Sequence, residues 1–260
     1  MPSDCPTYPP PPTVEPPPPR PFRLECVIVC ANYSDFLAYT LIENKILFDD
    51  LVVVTSPEDR RTQRLCEYRH VRCIPTDALE TRWRKMCKGK GINIGLEALK
   101  LDGWVLHLDA DIALPPLTRR LLERADLDPT HLYGADRQNV PNHHEWTKFI
   151  SSPRLQHEDE CWLHMNQFPM GTRVAIHGYN GYIPLGFFQL WNPEASGIYR
   201  YPQGHETAAR EDTKFALQWQ RRQRSLLPEV ICYHLESEPA AHGSNWDGRK
   251  TREFGPENAA

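Results

Sequence analysis

The stretch Trp104-Val105-Leu106-His107-Leu108-Asp109-Ala110-Asp111 decides how this chain is read. An apolar run from Trp104 to Leu108 ends in two carboxylates one residue apart, and Ile112-Ala113-Leu114-Pro115-Pro116 follows. The run reads as a buried strand, so Asp109 and Asp111 stand at or just past its C-terminal end. In an open α/β sheet that edge is where ligands bind. Two hard oxygen ligands there suit a divalent cation, and a cation suits a diphosphate.

Working outward, strand signals alternate with helix signals. Leu24 to Cys30 reads as the first strand, and Ser34 with Asp35 opens a helix running to about Phe48. Leu51 to Thr55 reads as the second strand. Ser56-Pro57-Glu58-Asp59 has the form of a helix start, with a cap residue, a proline and first-turn acids. Val71 to Ile74 is a short third strand, and Gly91 to Lys100 is helical before the strand ending at Asp109. This order predicts an α/β fold with a mostly parallel, doubly wound sheet. Beyond it, Ile183 to Trp191 and Glu229 to Leu235 read as strands, with a helix from Ala208 to Gln223 between them.

Of residues 1 to 21, eleven are proline, so that segment reads as an extended arm outside the fold. The rest, residues 22 to 260, suits a single domain. No apolar run approaches the ~18 to 20 residues that span a bilayer, so no membrane insertion is expected. The start lacks the basic and apolar regions of a signal peptide, and the eight cysteines are read as reduced thiols of a cytoplasmic protein. Oligomeric state is not readable.

Ala31, Asn32 and Tyr33 leave the first strand at the ligand edge, and Glu58 or Asp59 leaves the second there. Either acid could contact a base or ribose, or could simply serve the helix dipole. Lys90 and Asn93 begin the helix before the aspartate pair. Gly89 and Gly91 allow close backbone approach to an anion at a helix N-terminus.

The ordered set resembles nucleotide-sugar glycosyltransferases of the glycosyltransferase A fold, in particular the non-processive family-2 type. The residues that carry the resemblance are Val27 to Tyr33, Val52 to Thr55 with Pro57 to Asp59, Lys88 to Leu96, Leu108 to Asp111, Gly186 to Trp191, Glu211-Asp212 and Tyr233-His234-Leu235. The resemblance implies that Asp109 and Asp111 bind Mn2+ or Mg2+ together with the diphosphate of a nucleoside-diphosphate sugar. It also implies that His234 completes the metal shell, with His242 as competitor. Asp212 would be the base that deprotonates the acceptor hydroxyl, with Glu211 in reserve, which makes the reaction inverting. Processive relatives carry Gln-x-x-Arg-Trp; here Gln218-Trp219-Gln220-Arg221-Arg222 lacks the final tryptophan, so polymer synthesis is not expected.

For the acceptor, Tyr179, Tyr182, Gln189 and Trp191 offer aromatic faces and an amide suited to a sugar or a nucleobase. The tail Ser244 to Arg249 resembles small viral or bacterial transferases of this fold, some of which glycosylate hydroxymethylated pyrimidines in DNA. Modified DNA is therefore one candidate acceptor, in host cytoplasm if the chain is viral; a glycan, a lipid-linked sugar or a protein are the others. Basic clusters such as Arg60, Arg61 and Arg64 would be solvated surface or a phosphate track. Two further readings stand beside these: a sugar-phosphate nucleotidyltransferase and a non-catalytic carbohydrate- or nucleic-acid-binding module. Structural Zn2+ is considered at His157, Cys161 and His164, with His143 and His144 upstream, and at Cys66, His70, Cys73 and Cys87.

Overall fold

The computed structural model describes residues 21–79, 86–152, 167–171, 175–202, 211–238 and 249–256. The proline-rich arm, the His157/Cys161/His164 cluster and His242 lie outside the described residues. Strand β1 is Leu24–Val29, followed by helix α1 (Ser34–Asn44) with a 3-10 turn at Lys45–Leu47. Then come β2 (Asp50–Thr55), α2 (Arg60–Tyr68), β3 (Arg72–Pro75), α3 (Lys88–Glu97), β4 (Trp104–Asp109) and β5 (Ile112–Ala113). The second half holds α4 (Thr118–Arg124), β6 (Leu132–Val140), α5 (His143–Ile150), β7 (Ala175–His177), β8 (Gly181–Ile183), β9 (Phe188–Trp191), α6 (Pro193–Ser196), α7 (Glu211–Ala216) and β10 (Arg224–Leu235).

Eight strands form one sheet in the order β3-β2-β1-β4-β9-β6-β10-β5, and β7 pairs with β8 apart from it. The expected mixed α/β class, with a mostly parallel sheet flanked by helices, is what the chain adopts. Only β9 and β5 run antiparallel to their neighbours in the large sheet. Alternation along the strands supplies two cores. Cys26, Ile28, Leu106 and Leu108 join the cluster that covers α1 and α2, through Leu37, Leu41 and Cys66. Val27, Val29 and Val105 join the one that covers α3 and α7, through Ile92, Leu96 and Phe215. A strand buried on both faces reads as a continuous apolar run, which is why these strands are visible in the sequence. Each such side chain contributes ~1.5–3 kcal/mol of burial.

The chain lays β2 and β3 to one side of β1 and then crosses to place β4 on the other. The ends of β1 and β4 therefore flank a topological switch point, the place where open α/β sheets bind ligands. In register, Val29 faces Asp109.

Several expectations are corrected. Helix α2 is capped by Asp59, not Ser56; Asp59 accepts from the Thr62 N–H at 3.0 Å, and Pro57-Glu58 form the preceding turn. Helix α3 begins at Lys88 rather than Gly91. The single strand expected over Ile183 to Trp191 is two, β8 and β9, broken at Pro184 to Phe187, because proline cannot donate to a ladder. The helix expected over Ala208 to Gln223 is described from Glu211 and ends at Ala216, with a separate 3-10 turn at Arg221–Gln223. Strand β6 has no apolar alternation in Asp136-Arg137-Gln138-Asn139. It is a strand because β10 pairs with it along its length and β9 with its start at Leu132 and Tyr133, a tertiary override of local propensity.

Candidate active site

The Asp109–Asp111 turn is gripped from below by α1. Thr40 Oγ1 donates to the Ala110 carbonyl at 2.7 Å, and Asn44 Nδ2 donates to the Ile112 carbonyl at 2.7 Å. Asn44 Oδ1 accepts from the Leu114 N–H at 2.8 Å. Thr40 and Asn44 are fully buried, so these bonds are shielded from water and hold the turn rigidly. Sequence reasoning missed both; polar residues on the buried face of α1 were the available signal.

Strand β10 then brings a residue from the far end of the chain. His234 pairs with Ile112 across the antiparallel β5–β10 ladder, and the Leu235 N–H donates to the Asp111 carbonyl at 2.9 Å. His234 Nε2 consequently lies 3.4 Å from Asp111 Oδ2, with Glu236 Oε1 3.2 Å from the other ring nitrogen. Burial works against a charged imidazole here, but the Asp111 carboxylate overrides it and lifts His234 to about 9. The same attraction, against burial, holds the Asp111 carboxyl below its ordinary value.

Asp109 is held differently. Lys88, the first residue of α3, pairs with Asp109 Oδ1, and its ammonium lies 3.5 Å from the Gly186 carbonyl. Although burial opposes it, the Asp109 charge keeps the Lys88 ammonium above its ordinary range, while burial raises the Asp109 carboxyl. Lys88 is the main residue the sequence reading passed over, in favour of its neighbour Lys90, which is exposed.

The acidic pair on α7 reaches the same place. Gly186 N–H donates to Asp212 Oδ2 at 3.0 Å, and a side chain at Gly186 would collide with Asp212. Glu211 is buried, and its Oε2 accepts from the Gly89 N–H at 2.7 Å, at the N-terminus of α3. Burial raises the Glu211 carboxyl to about 7. The structure thus gathers Asp109, Asp111, His234, Lys88, Glu211 and Asp212 around one edge of the sheet.

A buried polar chain runs beneath them. Gln189 Nε2 donates to the carbonyls of Pro184 and Asp212 at 2.9 and 3.1 Å, so its Oε1 is left to accept from the Tyr201 hydroxyl. That hydroxyl lies 3.1 Å from His107 Nδ1, which must then be the donor. His107 Nε2 is left as a bare lone pair, buried without a partner and 3.9 Å from Asp109 Oδ1. Burial, and then the Lys88 charge, hold this imidazole well below its usual range and hence neutral.

Other expected contacts sit elsewhere. Trp191 is 0% exposed and donates to the Ile198 carbonyl at 2.9 Å, and Gln189 is equally enclosed, so both are removed from the acceptor-facing set. Asn93 is committed through both amide atoms to the backbone of Tyr201, at 3.1 and 2.8 Å, so it holds a loop rather than facing a ligand. Asp59 accepts from the Asn32 N–H at 2.7 Å and from the Thr62 hydroxyl at 2.7 Å besides its cap bond, and so holds Asn32 in its left-handed turn (φ 58°). Gly91 serves packing: a Cβ there would run into Leu79 and Val29, not a ligand. Ala31 and Tyr33 remain at the edge, part-exposed, with Arg249 5.0 Å over the Tyr33 ring. Tyr179 is 95% exposed and Tyr182 is half-buried against Gly134.

A cation is tested against these residues. Asp111 Oδ1 is buried with no hydrogen-bond partner, and one imidazole stands beside its carboxylate. A hard oxygen and an imidazole suit Mn2+ or Mg2+ with the other positions left to donor or water oxygens. Among the described residues, no three of His, Cys, Asp and Glu converge into a closed shell. The fit is therefore to an open, two-residue site with Asp109 alongside. The second zinc cluster is likewise not assembled among the described residues. Cys66 and Cys73 contact one another. His143, considered with the first cluster, packs its ring on Tyr39 at 4.9 Å.

No protein-family model matches the chain, and no curated protein matches it in sequence. Solved structures do. The glucosyl-3-phosphoglycerate synthase of Mycobacterium tuberculosis, in complex with Mn2+, UDP-glucose and phosphoglyceric acid, is 13% identical over 82% of this chain and 72% of its own, with a TM-score of 0.46. The mannosyl-3-phosphoglycerate synthase of Rubrobacter xylanophilus is 18% identical over 45% of this chain, with a TM-score of 0.37. This chain spans 41% of that synthase's length. A nucleotidyl transferase from Methanothermobacter thermautotroptrophicus is 16% identical over 44% of this chain and 64% of its own, with a TM-score of 0.34. These likenesses are too distant to carry an argument about chemistry. No helix among the described residues is long and apolar enough to cross a membrane.

Proposed function

We propose that the chain is a metal-assisted glycosyltransferase that moves a sugar from a nucleoside-diphosphate sugar to an acceptor hydroxyl, with inversion at the sugar carbon. One observation carries the reading: a buried, unpartnered Asp111 oxygen beside His234, at the switch-point edge where Asp212 also stands. A divalent cation held by Asp111 and His234, with Asp109 alongside, would bind the donor diphosphate and stabilise its charge as it leaves. Lys88 adds a fixed positive charge at the same place. Asp212 takes the proton of the acceptor hydroxyl; Gly186 aims its carboxylate, and it is more accessible than Glu211. Glu211 ties α7 to the start of α3 and so sets the distance between Asp212 and Lys88.

A hydroxymethylated pyrimidine in DNA is one acceptor with the required hydroxyl. It would need an uncommitted basic track, and several of the arginines are instead paired: Arg61 with Glu253, Arg72 with Asp50, Arg249 with Asp35. The acceptor is accordingly proposed only as a hydroxyl compound, with DNA as one arm of the test.

The test is calorimetric titration of nucleoside diphosphates with and without manganese. Mass spectrometry of nucleotide sugars incubated with glycans and with hydroxymethylated DNA accompanies it. Release of a nucleoside diphosphate with a hexose mass gain on an acceptor is expected. Pyrophosphate release would point to a nucleotidyltransferase, and binding without turnover to a carbohydrate- or nucleic-acid-binding module; either would reject the proposal.

A further inference from the structure

Several of the arginines described in this molecule meet an acid. Arg23, Arg72, Arg119, Arg200 and Arg249 each lie within 3.1 Å of a carboxylate oxygen. Arg137, on β6, does not. Among the described residues its guanidinium makes no ion pair and no hydrogen bond, and its Nε is buried without a partner. Asn139 stands two residues on, hence on the same face of the strand, and its Oδ1 is also buried and unpartnered. Native structures rarely leave such groups unanswered, and clusters of them ask what is meant to bind.

The surroundings hold the arginine in place. Its guanidinium carbon lies 4.6 Å over the Phe187 ring, and the Gly171 N–H donates to its carbonyl at 2.9 Å. Phe187 follows Gly186, the residue that binds the Asp212 carboxylate. Of the nearby acids, Asp109 pairs with Lys88 and Asp111 with His234 through one oxygen, while Glu211 and Asp212 accept from the backbone of Gly89 and Gly186. A cation thus stands beside the site over an aromatic ring, near Asp109 and Asp111 but, among the described residues, in an ion pair with neither.

We propose that Arg137, seated on Phe187, is the specificity-determining residue for an anionic group, phosphate or carboxylate, carried by the acceptor. A guanidinium presents a rigid fork of donors that matches such oxygens two at a time, which a lysine does not. The donor diphosphate offers the same chemistry. The position of Phe187 next to the Asp212 contact favours the acceptor, since Asp212 is the group read as meeting its hydroxyl. The inference rests on that reading of the site and narrows the acceptor to a charged hydroxyl compound.

The test uses the full chain and three probes. Inorganic phosphate, titrated calorimetrically, should bind the wild type and lose most of its affinity in Arg137→Gln, with Arg137→Lys between them. A nucleoside diphosphate with manganese should bind all three proteins alike. In transfer assays, hexose phosphate against hexose, glycerol phosphate against glycerol, and hydroxymethyldeoxycytidine monophosphate against its nucleoside should separate by about 10²-fold in kcat/KM for the wild type. That ratio should collapse in Arg137→Gln.

Melting temperatures of both variants, expected within a few degrees of wild type, exclude misfolding as the cause. Absent phosphate binding by the wild type, or equal binding by a folded Arg137→Gln, would overturn the proposal. So would equal use of charged and uncharged acceptors. Loss of nucleoside diphosphate affinity in Arg137→Gln would overturn it too, by moving the arginine to the donor. A wild type that binds no nucleoside diphosphate at all would instead sink the transferase reading, with the phosphate titration still deciding whether Arg137 holds an anion.

Discussion

Two stretches of the same sheet edge use their polar side chains in opposite ways. At the ends of β1 and β2, Asp59 directs its carboxylate to Asn32, Thr62 and Thr55, all inside the protein. At the ends of β4, β6 and β10, by contrast, Asp111, Asn139, His107 and Arg137 each keep a buried polar atom without a partner. At the first stretch the carboxylate shapes backbone; the second retains binding capacity. Carboxylates that look equivalent in sequence, Asp59 and Asp111, therefore have different work. The deciding quantity is how many of their hydrogen-bond positions the fold has already filled.

The largest break in that contrast should come from Asp111→Ala. Removing the second stretch's cation ligand should cost several kcal/mol of transition-state stabilisation, a loss of about 10³-fold or more. Because the residue lies at the edge, the melting temperature should move little. Manganese-dependent nucleotide binding and turnover check it together; retained turnover in excess chelator would remove the metal from the scheme.

Asp212→Asn should come next. Donor affinity should hold while kcat falls by ~10²- to 10⁴-fold, since only the proton transfer loses its catalyst. If Asp212→Asn turns over normally and Glu211→Gln does not, the base is one residue earlier.

Asp59→Ala sharpens the comparison from the first stretch. It should act on stability, leaving the Asn32 N–H and the Thr62 hydroxyl without their acceptor and α2 without its cap, at about 1–3 kcal/mol for an orphaned buried group and ~1 kcal/mol for the cap. Thermal unfolding should show a drop of roughly 5–10 °C. Unchanged stability with weakened donor binding would make Asp59 a ligand contact after all.

The smallest effect concerns pH. Burial raises the Glu211 carboxyl from 4.5 to about 7, so the folded state prefers it protonated. The stability it contributes is then complete below the unfolded value and is lost as pH rises toward 7. Glu211→Gln removes this loss, so the melting temperature of the variant should gain on the wild type between about pH 5 and about pH 8. A constant difference across that range would mean the carboxyl is not displaced upward.

Much of the first half of the fold was legible in the sequence. Strands β1, β2 and β4 are buried on both faces and announce themselves as apolar runs. The second half was less so. Strand β6 is central but polar, and β9 was read as continuous with β8 because the break at Pro184 to Phe187 is decided by where Gln189 and Gly186 must bind. In the site, the aspartate pair and the acids of α7 were visible, whereas Trp191 and Asn93 were misassigned. Type alone does not say whether a ring is enclosed or an amide already bonded.

What the sequence by itself determined is the local part: which segments are strands buried on both faces, and that Asp109 and Asp111 end one of them. Periodicity and chain order contain that information. Only the tertiary structure decided the rest. It seats His234 beside Asp111 through the β5–β10 ladder, pairs Lys88 rather than Lys90 with Asp109, and brings Glu211 to Gly89 across 122 residues. The physical reason is that such contacts depend on strand order and on which hydrogen-bond positions other segments leave unfilled. No local pattern records either.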